Sequence, residues 1–366
     1  MGNEWFEGFS SGDARTLWDI TGFQFFAVSL TSGSVLAEFP DLQASKFSYR
    51  FEETTSETVM IPWQNIPSNW IEATVPYAVA ILLVRGSTVL WGGIVVKRER
   101  TLQGEGLTLT LATVEHYFDS VYVKDHSYSG WEQTWIASNL VTSTLEGHRF
   151  VIDVDTASSS VHRDRTYKED SGKTLLSVLQ ELSNVQNGPE WCTSWHVRDG
   201  RYVPLLTIAD RIGSVEPSTT FDETTMTYFR ILEDYTSGYG ANMVVAVGSS
   251  TNEDQLRSDV MVAEQFYRPV VEYVARPSTS ITQKETLDGH ASSILKQMKD
   301  GVATINMTLS LTDAPVLYQE WGPGDVVAWT IADDGGRLDG FARGEARVIG
   351  YDIDFSGVWT ITPVLR

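Results

Sequence analysis

Apolar and polar residues alternate along two separate stretches of the chain, residues 22–117 and 302–366. In the first stretch the strand-like segments are residues 79–84, 89–96 and 107–111. In the second they are residues 305–311, 326–329, 349–355 and 358–361. Period-two alternation bounded by Gly, Pro and Asp is typical of half-buried antiparallel strands. Each stretch is therefore predicted to form an antiparallel β-module.

Apolar residues repeat at helical spacing in segments between and within these modules. A helix is predicted over about 130–145, with Ser129 and Glu132 as a capping box, and another over about 172–186. A third is predicted over 284–299, opened by a capping box of Thr282 and Glu285. Its buried face consists of Leu287, Ala291, Ile294, Leu295 and Met298. These segments add a helical component to a chain that is otherwise rich in strands.

Residues 118–210 combine the first two helices with a short strand at 150–154, a polar loop from Ser158 to Asp170, and a hairpin. The hairpin turns at Asp199-Gly200. The predicted organisation is an N-terminal arm (1–21), a first β-module (22–117), an α/β insert (118–210), a second β-module (211–283 and 301–366) and a helical insert (284–300). Five apolar anchors indicate that the arm docks on its own body or on a neighbour: Trp5, Phe6, Phe9, Leu17 and Trp18.

Composition restricts the function classes. The 366 residues are 42% hydrophobic and 20% charged, which is typical of globular domains. The net charge of −21 disfavours binding to nucleic acid or to an anionic membrane, and neither a membrane span nor a secretory signal is predicted. The single cysteine, Cys192, allows no internal disulfide and no cysteine-type zinc site, so we expect synthesis in a reducing cytoplasm.

Two short segments partly match sequence motifs of nucleotide-binding proteins and kinases, but both motifs are incomplete. Residues 171–174 (Ser-Gly-Lys-Thr) resemble the end of a phosphate-binding loop, yet Tyr167 stands where that motif requires glycine. Residues 162–164 (His-Arg-Asp) lack the following asparagine of a kinase catalytic loop, and we interpret them as a solvated charge cluster.

Two further candidates concern acids and metals. Asp153 and Asp155 would lie on one face of a strand and could hold a metal or act as an acid/base pair. Cys192 and His196 offer only two ligands where structural zinc requires four. The six histidines are scattered, and no Gly-x-Ser-x-Gly motif is present. We therefore predict no catalytic, cofactor-binding or metal-binding residue, no cofactor, and no enzymatic activity.

Several segments together resemble baseplate-hub or tail-tip minor tail proteins of tailed phages. They are residues 59–62 (Val-Met-Ile-Pro), 77–94 with the Arg85-Gly86-Ser87 turn and the Gly92-Gly93 end, and the alternating strand at 107–111. The insert with two helices and the late helix followed by Leu-Ser-Leu, a Gly-Asp turn and final strands are also similar. The resemblance covers about residues 22–366 and consists of layout and short patterns.

The resemblance implies a β-rich α+β fold with two related antiparallel β-barrel-like hub domains, at 22–117 and at 211–283 with 301–366. It also implies a homotrimer whose six barrels adapt the sixfold tail tube to a threefold tip in the virion. The implied partners are the distal tail protein, the tape-measure protein, and tail fibre or tip proteins. DNA would pass through an acidic lumen without specific binding. Because the last predicted strand ends at Arg366, no appended hydrolase or fibre domain is expected.

Two alternatives remain open from the residues themselves. The chain has 12 Trp, 14 Tyr and 15 Phe, so exposed aromatic side chains could bind host cell-wall carbohydrate in an adhesin. A tail-associated cell-wall hydrolase would place its acid at Asp153 or Asp155.

Overall fold

The computed structural model describes residues 22–236, 239–248, 255–276, 281, 283–332, 336–338 and 340–366. They form two compact units, the first containing residues up to Thr227 together with Thr308–Arg366, and the second Tyr228–Met307. The predicted arm at 1–21 lies outside the described residues. Within the described ranges, no helix has the length and apolar character needed to cross a membrane.

The chain begins with eight strands: β1 (Phe23–Ser29), β2 (Val35–Glu38), β3 (Gln43–Ala44), β4 (Lys46–Arg50), β5 (Ser56–Pro62), β6 (Val79–Arg85), β7 (Thr88–Glu99) and β8 (Gly106–Ala112). All except β4 form one sheet in the order β2-β1-β6-β7-β8-β5-β3, which we call the first sheet. Two 3-10 turns, Trp63–Asn65 and Glu72–Thr74, connect β5 to β6. The β6–β7 hairpin confirms the prediction for residues 79–96.

Strand β6 is buried on both faces, so the prediction of a half-buried strand is wrong here. Residues 79–84 are all buried. Leu82 and Val84 pack into a core cluster shared with the helices of the insert. On the opposite face, Phe25 of β1 contacts Phe47 of β4, with ring centroids 5.9 Å apart. A strand covered on two sides requires a continuous apolar run, and that is the pattern of residues 79–84.

The insert contains α1 (Val114–Phe118), β9 (His126–Glu132), α2 (Gln133–Leu145), β10 (Asp153–Thr156), β11 (His162–Tyr167), a 3-10 turn (Glu169–Ser171), α3 (Leu175–Ser183), β12 (Glu190–Arg198) and β13 (Arg201–Ala209). Strands β10, β13 and β12 form a sheet in that order, with β10 parallel to β13. Strands β9 and β11 form a separate antiparallel pair.

Two local predictions in the insert are wrong, and a predicted strand is displaced along the chain. Ser129 to Glu132 belong to β9 and not to a capping box, and helix α2 begins at Gln133 without a side-chain cap. The predicted strand at 150–154 begins at Asp153 and extends to Thr156. The predicted polar loop from Ser158 to Asp170 contains β11. In each case pairing with a distant strand decides the structure, and local residue preference does not.

The predicted hairpin at Asp199-Gly200 is confirmed. Strands β12 and β13 pair in register from Glu190–Ala209 to Arg198–Arg201. The two turn residues have φ angles of 52° and 73°. A two-residue hairpin turn with positive φ at both positions favours an Asp-Gly sequence, because glycine adopts this conformation without steric cost.

The remaining elements are β14 (Pro217–Asp222), β15 (Met226–Asp234), β16 (Met243–Ala246), β17 (Met261–Val262), β18 (Glu272–Ala275), α4 (Lys284–Met298), β19 (Val302–Ser310), β20 (Val326–Thr330), β21 (Arg343–Asp354) and β22 (Thr360–Leu365). A second sheet has the order β14-β20-β21-β22-β19-β15. Strand β4, which is not part of the first sheet, pairs with β21. The pairing runs from Arg50–Gly350 to Lys46–Asp354.

The second unit contains a sheet of its own, in the order β17-β16-β18. Helix α4 packs on this sheet, where Leu287 and Ala291 contact a small core that includes Val244 and Ala246. The predicted helix at 284–299 is therefore confirmed to within one residue. Its N-cap is Gln283, and Thr282 of the predicted capping box lies outside the described residues. The insertion is larger than the predicted helix, because β16, β17 and β18 accompany it.

Candidate functional site

The structure brings Asp153 and His196 together, although the sequence placed them in different candidate sites. Strand β10 holds Asp153 next to the hairpin β12–β13. Its Oδ2 atom lies 2.7 Å from His196 Nε2, and its Oδ1 atom forms an ion pair with the Arg198 guanidinium. Asp155 is exposed on the same strand. Both oxygens of Asp153 are therefore engaged, so the carboxylate sits in a surface ion-pair cluster.

Cys192 and His196 do not form a ligand pair. They lie four residues apart on β12, a separation of about 13 Å along an extended strand. Among the described residues, no group of three or more His, Cys, Asp or Glu side chains could hold a metal ion. Burial, followed by the nearby carboxylates of Glu115, Glu190 and Glu52, raises the pKa of the Cys192 thiol to about 12.

The Ser171–Thr174 segment lies immediately before helix α3. The Thr174 hydroxyl accepts a hydrogen bond of 3.2 Å from the backbone N–H of Ser177 and so caps helix α3. Lys173 Nζ donates to the carboxylate of Glu181 at 2.7 Å. The side chains of Lys173 and Thr174 are thus both bonded to helix α3, Thr174 at its start and Lys173 near its end.

The His162–Asp164 segment, interpreted above as a solvated charge cluster, is part of strand β11, where His162 and Asp164 are exposed and Arg163 is half-buried. Arg163 donates from Nε to Gln133 Oε1 at 2.7 Å and from Nη2 to the carbonyl of Gln186 at 2.8 Å. Asp164 accepts a hydrogen bond from the backbone N–H of Gly130 at 2.7 Å. These bonds tie β11 to helix α2, to strand β9 and to the segment after α3.

A polar cavity of about 520 Å³ lies in the first unit. Its walls are the turn after β4, the connection between α3 and β12, and strand β21. Arg347 donates to both oxygens of Glu190, at 2.6 and 2.5 Å, and also to the Ile212 carbonyl at 2.8 Å. Such a bidentate pair fixes the guanidinium plane and holds β21 to β12.

Glu52 also lines this cavity and titrates near neutral pH. Burial raises the pKa of the Glu52 carboxyl to about 7, partly opposed by a hydrogen bond from the backbone N–H of Trp191. That hydrogen bond is 3.3 Å long. The sequence alone gave no sign of this residue, because its burial depends on elements that lie more than one hundred residues away.

A buried polar network joins the sheets near this cavity. Glu115 is fully buried and accepts a hydrogen bond of 2.5 Å from the Thr193 hydroxyl. The backbone N–H of Thr193 donates to the Tyr49 hydroxyl at 3.0 Å. The Tyr49 ring stacks on Tyr351, with centroids 5.6 Å apart. Burial raises the pKa of the Glu115 carboxyl, partly opposed by the hydrogen bond from Thr193. The network connects β4, β12 and β21 with α1.

No protein-family model and no curated protein matches the sequence. Solved structures with a similar fold include the 43 kDa tail protein of prophage MuSo2 from Shewanella oneidensis, at 12% identity and a TM-score of 0.55, covering 94% of this chain and 98% of that one. The tail protein from Neisseria meningitidis MC58 is similar at 13% identity and a TM-score of 0.54, covering 94% and 97%.

A chain of the Francisella PdpA-VgrG complex is similar at 8% identity and a TM-score of 0.51. The alignment covers 93% of this chain and 52% of that one. Identities this low establish similarity of fold. The chain therefore has the fold of these tail proteins, one of which belongs to a prophage.

Proposed function

We propose that the chain is a structural hub protein of a phage tail tip, with two related β-modules in each subunit and three subunits in a closed collar. The observation that carries this proposal is the strand order of the two large sheets. The first sheet contains the order β1-β6-β7-β8-β5-β3, and the second has β14-β20-β21-β22-β19-β15. When the six strands of each order are numbered by their position along the chain, both orders become 1-4-5-6-3-2.

The central strands support the equivalence of the two modules. Strands β7 and β21 are both 12 residues long. The first part of β7 pairs with β6 and its last part with β8. In the same way, the first part of β21 pairs with β20 and its last part with β22. One difference is that β14 runs parallel to β20, whereas β1 runs antiparallel to β6.

Duplication of a module supplies the symmetry that a tail tip needs. Three subunits with two related modules each present six similar modules to a sixfold tail tube, while the assembly itself has threefold symmetry. A closed ring of this kind uses contacts between unlike faces of neighbouring subunits. The expected neighbours are the distal tail protein, the tape-measure protein, and tail fibre or tip proteins.

The charge of the chain is compatible with a channel for DNA. A net charge of −21 repels phosphate groups, so DNA could pass through the lumen of the collar without being retained. In this proposal the chain performs no chemical step. Its work is to shape the end of the tube and to hold its partners.

The experiment that tests this proposal is a measurement of molar mass by light scattering, followed by electron-microscopy class averages. We expect a species of about 122 kDa, three times the chain mass of 40.8 kDa, with six similar densities around a hollow centre. The measurement should be made with and without a candidate distal tail protein. A monomer under both conditions would contradict the proposal, and binding to cell-wall glycan by that monomer would favour an adhesin.

A further inference from the structure

A cluster of aromatic, basic and apolar side chains lies on the surface of the first unit, between the turns that follow β5 and β7. We call it the Trp–Arg patch, and it consists of Trp63, Trp70, Ile71, Arg98, Arg100 and Leu102. The rings of Trp63 and Trp70 meet edge to face, with centroids 5.5 Å apart. The Trp63 indole N–H donates to the Gly104 carbonyl at 3.1 Å, which brings the turn after β7 against the aromatic pair.

Two arginines share one indole ring in this patch. The guanidinium groups of Arg98 and Arg100 lie 5.8 and 5.7 Å from the centroid of Trp70. Among the described residues, no carboxylate lies within ion-pair distance of either group. Burial, and the neighbouring charge of Arg100, lower the pKa of Arg98. Two adjacent cations without a counterion, in a chain of net charge −21, indicate an anionic partner.

The same patch exposes apolar side chains. Leu102 is 95% exposed and Ile71 is 52% exposed. Tryptophan and arginine beside exposed apolar groups are typical of the centre of a protein–protein interface. A sugar stacks on the open face of an indole ring, and guanidinium groups already lie over the Trp70 ring. The patch therefore favours a peptide that carries both carboxylates and large apolar side chains.

The first 21 residues of the chain have that composition. They contain four acidic residues (Glu4, Glu7, Asp13 and Asp19) and one basic residue (Arg15). They also contain seven large apolar side chains: Met1, Trp5, Phe6, Phe9, Leu17, Trp18 and Ile20. We propose that residues 1–21 dock on the Trp–Arg patch, with carboxylates paired to Arg98 and Arg100 and aromatic side chains packed against Trp63, Ile71 and Leu102.

The length of the segment is sufficient for this contact. The carbonyl of Gly22 accepts a hydrogen bond from the N–H of Gly86, so the segment joins the first sheet where β6 ends. The patch lies towards the other end of β6, and the seven residues of that strand span about 24 Å. Twenty-one residues reach up to about 70 Å when extended. The patch of the same subunit is therefore within reach of the segment, and docking does not depend on the trimer.

The test is photo-crosslinking in the full chain with p-benzoylphenylalanine in place of Phe9. We expect crosslinked peptides from residues 63–75 or 97–105, and mixing with isotope-labelled protein assigns them to the same or to a neighbouring copy. Either assignment supports docking. Crosslinks to other regions, such as the exposed Phe266 and Tyr267 of the second unit, or no crosslink in a correctly folded protein, would overturn it.

A reverse experiment and a charge change complete the test. Because Leu102 is exposed, p-benzoylphenylalanine at this position should leave the fold intact and should crosslink to residues 1–21. The substitution Arg100→Glu should reduce the crosslinking yield from position 9 by roughly fivefold. This is the change in binding that the loss of one exposed ion pair can produce. Arg230→Glu, which makes the same charge change at an exposed position of β15, should leave the yield unchanged. Equal yields from the two variants would contradict pairing with Arg100.

Discussion

The hydroxyl group of Tyr351 donates a hydrogen bond of 2.6 Å to the backbone carbonyl of Leu90 and so joins β21 to β7. Both residues are buried, so removing the donor would take this hydrogen bond from a carbonyl that water reaches poorly. We expect Tyr351→Phe to lower the free energy of unfolding by about 1–3 kcal/mol in urea denaturation followed by circular dichroism. Tyr122→Phe, at a position 63% exposed, is the matched control. Equal stability of the two variants would contradict the role of this bond.

Gly92 allows the hairpin β12–β13 to approach the first sheet. A Cβ atom on Gly92 would lie 2.3 Å from Trp195 Nε1 and 2.6 Å from Leu82 Cδ2. We expect Gly92→Ala to destabilise the protein by about 1–3 kcal/mol, because the indole must move in a packed interior. A Cβ atom on Gly357 would meet no atom within 4 Å, so Gly357→Ala should be nearly neutral. A thermal-unfolding comparison of the two variants checks this prediction, which fails if their midpoints coincide.

Glu52 should make stability depend on pH. Burial raises the pKa of its carboxyl in the folded state to about 7 from the ordinary value of 4.5. The folded state thus retains a proton that the unfolded state releases, and the contribution to stability falls as the pH rises from about 4.5 to about 7.

We expect Glu52→Gln to remove this fall and to increase the free energy of unfolding at pH 8 by roughly 2–3 kcal/mol. Urea denaturation across this pH range provides the measurement, with Glu53→Gln at the exposed neighbouring position as the control. If the free energy of unfolding changes with pH in the same way for Glu52→Gln and for the unmodified protein, Glu52 is not the group that causes the pH dependence.

Cys192 should be unreactive in the folded protein. Thiols react as thiolates, and burial raises the pKa of Cys192 to about 12, so little thiolate exists at pH 8. We expect a thiol reagent to label the native chain very slowly and the urea-unfolded chain stoichiometrically. Ser160→Cys, at an exposed position, supplies a thiol that should react at once and provides the positive control. Rapid labelling of Cys192 in native protein would contradict the raised pKa of its thiol.

The parts of the fold that local pattern predicts are those whose partners are close in sequence. The β6–β7 and β12–β13 hairpins were predictable because each turn separates its two strands by only a few residues. The buried face of α4 was predictable because residues such as Leu287 and Ala291 repeat at helical spacing.

Other features depend on partners that no local window contains. The sequence of β11 is polar, and its strand structure comes from pairing with β9 about thirty residues earlier. The contact between Asp153 and His196 requires β10 to lie beside β13. The burial of Glu52 arises from elements that are remote in the chain. For these, the sequence supplied the residue types, and tertiary structure alone decides which of them meet.

The pairing of β4 with β21 has a consequence for synthesis of the chain. Arg50 and Tyr351, which are joined by a hydrogen bond, lie 301 positions apart. At a translation rate of about 5–20 residues per second, the ribosome needs roughly 15–60 s to produce the missing partner. During that interval the early segment has an open edge, which in other chains invites aggregation. The final closure of this unit is therefore a late event in biogenesis, and a chaperone that shields residues 46–50 would act in that window.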